Sequence, residues 1–258
     1  MAATESIADA LFTVRGLSKS YGDKEVLRSI DFDVQRGECL VILGGSGSGK
    51  SVTLRQLNGL EEPDEGSVLF DGDVEISSLS EQQLFPIRRR IAMLFQGGAL
   101  FDSMTVFENI AFPLREHSDL DEDEIRERVA ERLSRVRLAG IEDKVPANLS
   151  GGMKKRVALA RSLALDPEVV LFDEPTTGLD PRTSATIGSL IRDIQQKIGV
   201  TSVVVTHDLP LARSVGDRLA FLHRGKFRFI GTWLEAERTA DPLVTDFLAG
   251  REEDIDAA

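Results

Sequence analysis

The hydrophobic positions of this chain follow two rhythms. Ile30-Asp31-Phe32-Asp33-Val34 alternates apolar and acidic residues, the period of a half-buried strand. Leu11-Phe12-Thr13-Val14 reads as a strand, and Val68-Leu69-Phe70-Asp71-Gly72 as a strand that ends in a turn. Solid apolar blocks at Cys39-Leu40-Val41-Ile42-Leu43 and Val169-Val170-Leu171-Phe172 have the character of buried strands, and Ile91-Ala92-Met93-Leu94-Phe95 of a core strand. The β-branched residues 201–206 add another, and residues 217–222 and 225–230 close the core. A helical period takes over at residues 118–138, where Ile125, Val129, Leu133 and Val136 share one face. Acids crowd the start of that helix and Arg132, Arg135 and Arg137 its end, as the macrodipole favours, so the charge run stabilises a helix. A second helix opens at Asn148-Leu149-Ser150-Gly151-Gly152 and carries Val157, Leu159, Ala160 and Leu163.

Two stretches are less regular. Residues 101–114 read as loop-rich, with Phe101, Met104, Val106, Phe107, Ile110 and Phe112 shared between the core and a groove suited to another protein's helix. Residues 242–250 and the acidic end, 251–258, read as a short tail. Arg88-Arg89-Arg90 reads as a solvated surface or a helix C-terminus.

A length of 258 residues suits one large α/β domain. The net charge of -12 argues against a broad nucleic-acid footprint, while leaving room for phosphates bound locally through backbone donors and a lysine. One cysteine, Cys39, makes an internal disulfide impossible and suits a reducing compartment. Glu5 and Asp9 near the start argue against a secretory signal, and no apolar run approaches the roughly 18 residues that span a bilayer. Service to a membrane would therefore run through a partner.

The densest chemistry lies at Gly44-Gly45-Ser46-Gly47-Ser48-Gly49-Lys50-Ser51, between the strand ending at Leu43 and a helix starting near Val52. Strand, glycine-rich loop, Lys-Ser and helix are the context that a phosphate-binding loop requires. Glycines let backbone N–H groups turn inward on an anion, and the helix start adds unsatisfied donors. Lys50 is placed to reach the β- and γ-phosphates, and the Ser51 hydroxyl to bind Mg²⁺.

Further residues fall at strand exits. Tyr21, before Gly22-Asp23, sits in a turn where it either stacks on a purine base or simply closes a hairpin. Gln96 leaves a core strand with an amide able to contact Mg²⁺ or a water. Ser150-Gly151-Gly152 is either a second anion-binding helix end or an N-cap serine followed by flexible glycines. Val169 to Phe172 deliver Asp173 and Glu174 at a strand's C-terminal edge, where open α/β sheets place ligands. Strand alternation would send the two acids different ways, Asp173 to hold Mg²⁺ through water and Glu174 to accept a proton from the attacking water. Gly178-Leu179-Asp180 follows in a turn, and His207, one of three histidines, leaves a strand at the same edge either as a plain core or turn residue or as a γ-phosphate contact.

Taken in order, these motifs resemble the ATP-binding subunit of an ABC transporter over residues 11–232, and Leu149-Ser150-Gly151-Gly152 is that family's own signature. Met153 stands where the family usually has Gln. That departure, with Gln96-Gly97-Gly98-Ala99-Leu100-Phe101 and Phe247-Leu248-Ala249-Gly250, is similar to the Mla/Mce branch, whose ATPases energise lipid transport in bacteria. The resemblance implies an α/β P-loop NTPase with a RecA-like core, an antiparallel β subdomain, a helical subdomain inserted at about 97–165 and an extension over 233–258. It implies ATP and Mg²⁺ as cofactors. It implies nucleotide contacts at Tyr21, Gly44, Gly45, Ser46, Gly47, Ser48, Gly49, Lys50, Ser51, Val52 and Asp180, with Ser150, Gly151 and Gly152 completing the site of a second copy. Ser51, Gln96 and Asp173 would hold the metal, and Glu174, His207, Lys50 and Gln96 would serve catalysis. The implied partners are a second copy of this chain, a membrane permease and an MCE-domain protein, at the cytoplasmic face of the inner membrane and without nucleic acid. Two other classes share the phosphate loop: an ABC-type scaffold with soluble partners, and a metabolic kinase, which would lack the Leu149 to Gly152 helix end.

Overall fold

The computed structural model describes residues 10–251, so the reading of the N-terminus and of the acidic end falls largely outside it. The chain forms two compact units, one of residues up to Leu84 together with those from Val203 onward, the other Phe85–Ser202.

In the first unit, β1 (Ala10–Tyr21) and β2 (Lys24–Gln35) make a long antiparallel hairpin, followed by β3 (Cys39–Leu43) and α1 (Lys50–Leu57). Next come β4 (Glu65–Phe70), β5 (Val74–Glu75) and α2 (Glu81–Arg90), whose last turn holds the three arginines and which leads into the second unit. There β6 (Ile91–Leu94) precedes α3 (Val106–His117), α4 (Glu122–Arg135), α5 (Gly151–Ser162), β7 (Val169–Asp173) and α6 (Pro181–Ile198). The chain returns to the first unit along β8 (Thr201–Thr206). It then adds α7 (Leu209–Val215), β9 (Arg218–His223), β10 (Lys226–Gly231), α8 (Trp233–Glu237) and α9 (Pro242–Leu248).

The first unit holds an antiparallel sheet in the order β2-β1-β4-β5. Val14 lies opposite Phe32 on one side and Val68 on the other, so alternate residues of three strands share one buried face. Phe12 stands opposite Phe70 with ring centroids 5.1 Å apart. A second run of strands takes the order β10-β9-β3-β8, with β3 and β9 parallel. All five residues of β3 are buried, the mark of a strand covered on both faces. The two layers meet at Phe32 and Phe227, rings 5.4 Å apart, and at Arg28, whose N–H donates to the Gly225 carbonyl at 2.9 Å.

In the second unit β6 and β7 pair in parallel, Ile91 opposite Val169 and Leu94 opposite Phe172. Helices α3, α4 and α5 pack on one another beside them. Arg132 of α4 is fully buried and donates to the Asp166 carboxylate at 2.5 Å, with Glu131 also in reach at 3.2 Å. A buried guanidinium is tolerated only when paired in this way.

Four sequence expectations are corrected here. Residues 101–114, loop-rich by composition, hold most of α3. A reciprocal capping box starts it, Glu108 N–H donating to Thr105 Oγ1 at 3.1 Å and Thr105 N–H to the Glu108 carboxylate at 2.7 Å. Val106, Ile110, Ala111 and Leu114 are its core face, while Phe101 and Phe112 stay exposed and meet edge to face at 5.2 Å. The long helix of residues 118–138 is α4 alone, shortened because Asp121 caps its start and Arg137, at φ 57°, leaves the helical region at its end. Residues 242–250 are a packed helix, with Val244 and Phe247 buried. Tyr21 ends β1, paired with Lys24, and the turn belongs to the two residues after it.

Candidate functional site

The first unit carries the phosphate-loop half. Buried β3 ends at Leu43, and the chain turns through Gly47 at φ 75° and Gly49 at φ 109° into α1. A Cβ on Gly49 would meet Leu27 Cδ2 at 2.6 Å, and one on Gly44 would meet the Leu222 carbonyl oxygen at 2.2 Å, so the loop is built for glycine at both ends. Lys50 is 7% exposed and folds back, Nζ donating to the carbonyls of Gly44 at 2.7 Å and Gly45 at 2.9 Å. Helix α1 has neither a side-chain cap nor an acid in its first turn, which leaves its start polarised for an anion. Ser48 Oγ is buried there without a hydrogen-bond partner, a group that a ligand would satisfy. Val52 is buried at the helix start, and Gly45, Ser46, Gly47 and Ser51 retain access to solvent.

Tyr21 is 48% exposed, its hydroxyl donating to the Glu61 carboxylate and Lys19 Nζ lying 5.9 Å from its ring centroid. His207 is exposed immediately after β8, and the next residue, Asp208, caps α7 by accepting from Leu211 N–H at 3.0 Å.

The second unit carries the rest. Gln96 is exposed just past β6. Ser150 caps α5, its Oγ accepting from Met153 N–H at 3.3 Å. Ser150 and Gly151 are exposed, whereas Gly152 is buried so closely that a Cβ would meet Thr183 Cγ2 at 2.3 Å. Asp173 and Glu174 are both under a tenth exposed at the end of β7. Glu174 adopts φ 46°, outside the strand, so alternation does not govern where the two acids go. A non-glycine residue held in that region stores backbone strain of the kind that accumulates at working sites. Thr177 Oγ1 donates to the Glu174 carboxylate at 3.3 Å. Asp180 caps α6, accepting from the N–H groups of Arg182 and Thr183 at 3.0 Å and from the Thr183 hydroxyl at 2.5 Å. These bonds, the hydroxyl first, hold its carboxyl below the usual carboxylate range.

Lys155 escaped the sequence reading. It is 7% exposed on α5, and its Nζ donates to the Gln96 carbonyl. Burial pushes its ammonium down from the ordinary lysine value, while the charges of Asp173 and Glu174 pull it back up. The available signal was spacing: Gly152, Lys155 and Leu159 fall on one buried stripe of the helix, where an unpaired lysine does not belong.

Among the described residues, no group of three or more His, Cys, Asp or Glu could hold a metal. Ser51 in the first unit, and Gln96 and Asp173 in the second, each offer oxygen donors, the ligand type that Mg²⁺ takes. No helix among the described residues is long and apolar enough to cross a membrane.

Residues 27–177 match the ABC transporter domain family, a span that runs from the phosphate loop through the Ser150 helix end to the acids after β7. The chain belongs to the ABC transporter family. It is an ATPase cassette of that family and has its α/β P-loop fold. It is 40% identical over 246 residues to the intermembrane phospholipid transport ATP-binding protein MlaF of Escherichia coli, covering 95% of this chain and 91% of MlaF. It is 45% identical over 238 residues to a probable ribonucleotide transport ATP-binding protein, mkl, of Mycobacterium leprae, covering 92% of this chain and 68% of mkl. Among solved structures, the dimeric ATP-binding cassette MJ0796, in a post-hydrolysis state bound to ADP and Pi, is similar with a TM-score of 0.80. That match has 34% identity and covers 86% of this chain and 98% of that one.

Proposed function

We propose that this ABC ATPase is the nucleotide-hydrolysing subunit of a bacterial lipid transporter and drives phospholipid movement through a membrane permease and an MCE-domain protein. The observation that carries the ATPase part is the loop of residues 44–51, with an uncapped helix start, a buried hydroxyl lacking a partner, and a lysine stored on its own loop carbonyls. Similarity to MlaF over 91% of that protein favours phospholipid as cargo over the ribonucleotide named for mkl, which matches over a smaller share of its length.

The chemistry follows from the residues. Lys50 exchanges its two carbonyl contacts for phosphate oxygens, which moves a positive charge onto the group being transferred. Glu174 takes a proton from water as that water's oxygen bonds the γ-phosphorus and the bond between the β,γ-bridging oxygen and the γ-phosphorus breaks, leaving ADP and phosphate. His207 holds a γ-phosphate oxygen, and Tyr21 offers its ring to the purine. Ser51, Gln96 and, through water, Asp173 would hold Mg²⁺, which would neutralise charge on the phosphates. The α5 start, with the Ser150 hydroxyl and the Gly151 and Gly152 amides, faces the nucleotide of a second copy of the chain, so ATP favours the paired state because it contacts both copies. Asp180 adds a nucleotide contact. The chain works from the cytoplasmic face of the inner membrane, held there by its permease and without binding nucleic acid. The residues of the ATPase domain, about 11–232, perform this work, with the insert at about 97–165 coupling it to the permease and 233–258 as an extension.

The test is to tag the chain, isolate its membrane complex and reconstitute it in vesicles. ATP-dependent movement of fluorescent phospholipid is expected. A complex that hydrolyses ATP and moves ribonucleotide only would overturn the cargo, and capture of soluble partners alone would overturn transport.

A further inference from the structure

The loop that leaves β6 lies along a single face of α5. Lys155, Ala158 and Arg161 follow one another at intervals of three on that helix, which keeps them on one side. Lys155 Nζ donates to the Gln96 carbonyl, and Arg161 donates to the Gly98 carbonyl at 3.1 Å. Between them Gly98, at φ 77°, sits so near the helix that a Cβ would press on Ala158 at 3.3 Å. The Arg161 guanidinium also stands 5.5 Å from the Phe101 ring centroid. Asn109 of α3 fastens the far end, accepting from Phe101 N–H at 2.9 Å and donating to the Phe101 carbonyl at 3.1 Å.

Holding a peptide carbonyl does not require a buried cation. A neutral amide would do it without the cost of taking an ammonium out of water. The charge lies within the field of the Asp173 and Glu174 carboxylates, and the helix that carries it is the one Ser150 caps. The lysine lies five positions after the exposed cap, about one and a half helical turns.

We propose that Lys155 is a positioning residue for ATP turnover, fastening the main chain at Gln96 to the Ser150-capped helix so that the two move as one body. The proposal rests on the ATPase reading above. A shift of α5 toward or away from a nucleotide then carries the Gln96 loop with it, and exposed Phe101, held by Arg161 and Asn109, follows.

Three readouts on the full-length chain test this: steady-state turnover, its Mg²⁺ dependence, and hydrogen exchange in the peptide covering residues 95–101. For Lys155→Met, loss of a charged hydrogen bond is expected to lower kcat about tenfold and to raise the half-saturating Mg²⁺ about threefold. Binding of a fluorescent ATP analogue without Mg²⁺ stays within about twofold, because the phosphate loop is untouched. Exchange in the 95–101 peptide accelerates while the β7 peptide keeps its protection. Lys155→Arg, which retains charge and donor, recovers most of the turnover. Gly98→Ala pushes the loop off Ala158 with Lys155 intact and is expected to give the same Mg²⁺ shift. If Lys155→Met does not fold, Gly98→Ala decides. Unchanged Mg²⁺ dependence or unchanged loop exchange in a folded variant overturns the role of Lys155, as does failure of Lys155→Arg to restore turnover. An unmodified chain without turnover instead overturns the ATPase reading, and the exchange experiment still reports whether Lys155 holds the loop.

Discussion

Phe247 of α9 lays its ring on Phe221 of β9, with centroids 4.6 Å apart. Phe247 is 4% exposed, and Val244, one turn earlier, is fully buried. Helix α9 is thus built into the first unit's core. Phe247→Ala is expected to lower stability by about 3 kcal/mol, through lost burial and the cavity left behind. Urea unfolding measures this, and a change below about 1 kcal/mol would show that α9 is not anchored there. Nucleotide binding by the folded variant should not change.

Glu174→Gln keeps the shape of the side chain and removes its capacity to take a proton. Turnover is expected to fall by about 10²-fold or more, with nucleotide binding retained and an ATP-dependent dimer accumulating. Phosphate release and light scattering report the two effects. Near-normal turnover would remove Glu174 from its assigned role.

Replacing Ser150 with arginine removes the cap of α5 and puts bulk at the proposed contact with a second copy. The cap itself is worth about 1 kcal/mol, which leaves the unit folded. Turnover should disappear while ATP affinity of the lone chain holds. Parallel loss of both would point to a site built within one copy.

Asp180 offers a pH signature. Its bonds to the Thr183 hydroxyl and to two amides lower its pKa from 3.8. A carboxylate lowered in the folded state adds stability that is present above the unfolded value and disappears as pH falls through the folded one. The melting-temperature gap between the parent and Asp180→Ala should therefore hold steady near neutrality and narrow below pH 3.8. A gap that persists unchanged in acid would mean the charge contributes nothing to the cap.

Gly49→Ala tests the loop. At φ 109°, with Leu27 Cδ2 2.6 Å from the new Cβ, the substitution strains the backbone and crowds β2. A destabilisation of about 1–3 kcal/mol and loss of ATP binding are expected, read by thermal unfolding and by nucleotide fluorescence. Unimpaired binding would show that the loop tolerates a side chain.

The elements legible in the sequence were those whose pattern is local. The block Cys39–Leu43 and the β-branched run Thr201–Thr206 coincide with β3 and β8, because a buried strand needs no partner information to be seen. Helix α3 was hidden by Pro113 and by aromatic residues, and its start depends on Thr105 and Glu108 acting as a pair. Helix α6 went unassigned, its first turns being rich in Thr, Ser and Gly, which are weak helix formers. The phosphate loop and the acids were legible because their chemistry lies in adjacent residues. The Glu174 φ angle was not, since it departs from the strand pattern that suggested an orientation. Nor was the Lys155 contact, which joins residues 59 apart in sequence.

The single thiol of the chain, Cys39, lies in β3 with no exposed surface. Maleimides and mild oxidants will find nothing to react with while the fold holds. A cysteine placed at exposed Phe101 or Leu234 would then accept a probe alone, on an otherwise native background. Fluorophores or spin labels at such sites would report whether two copies pair and part as proposed, with no mutation needed to silence a competing sulfur.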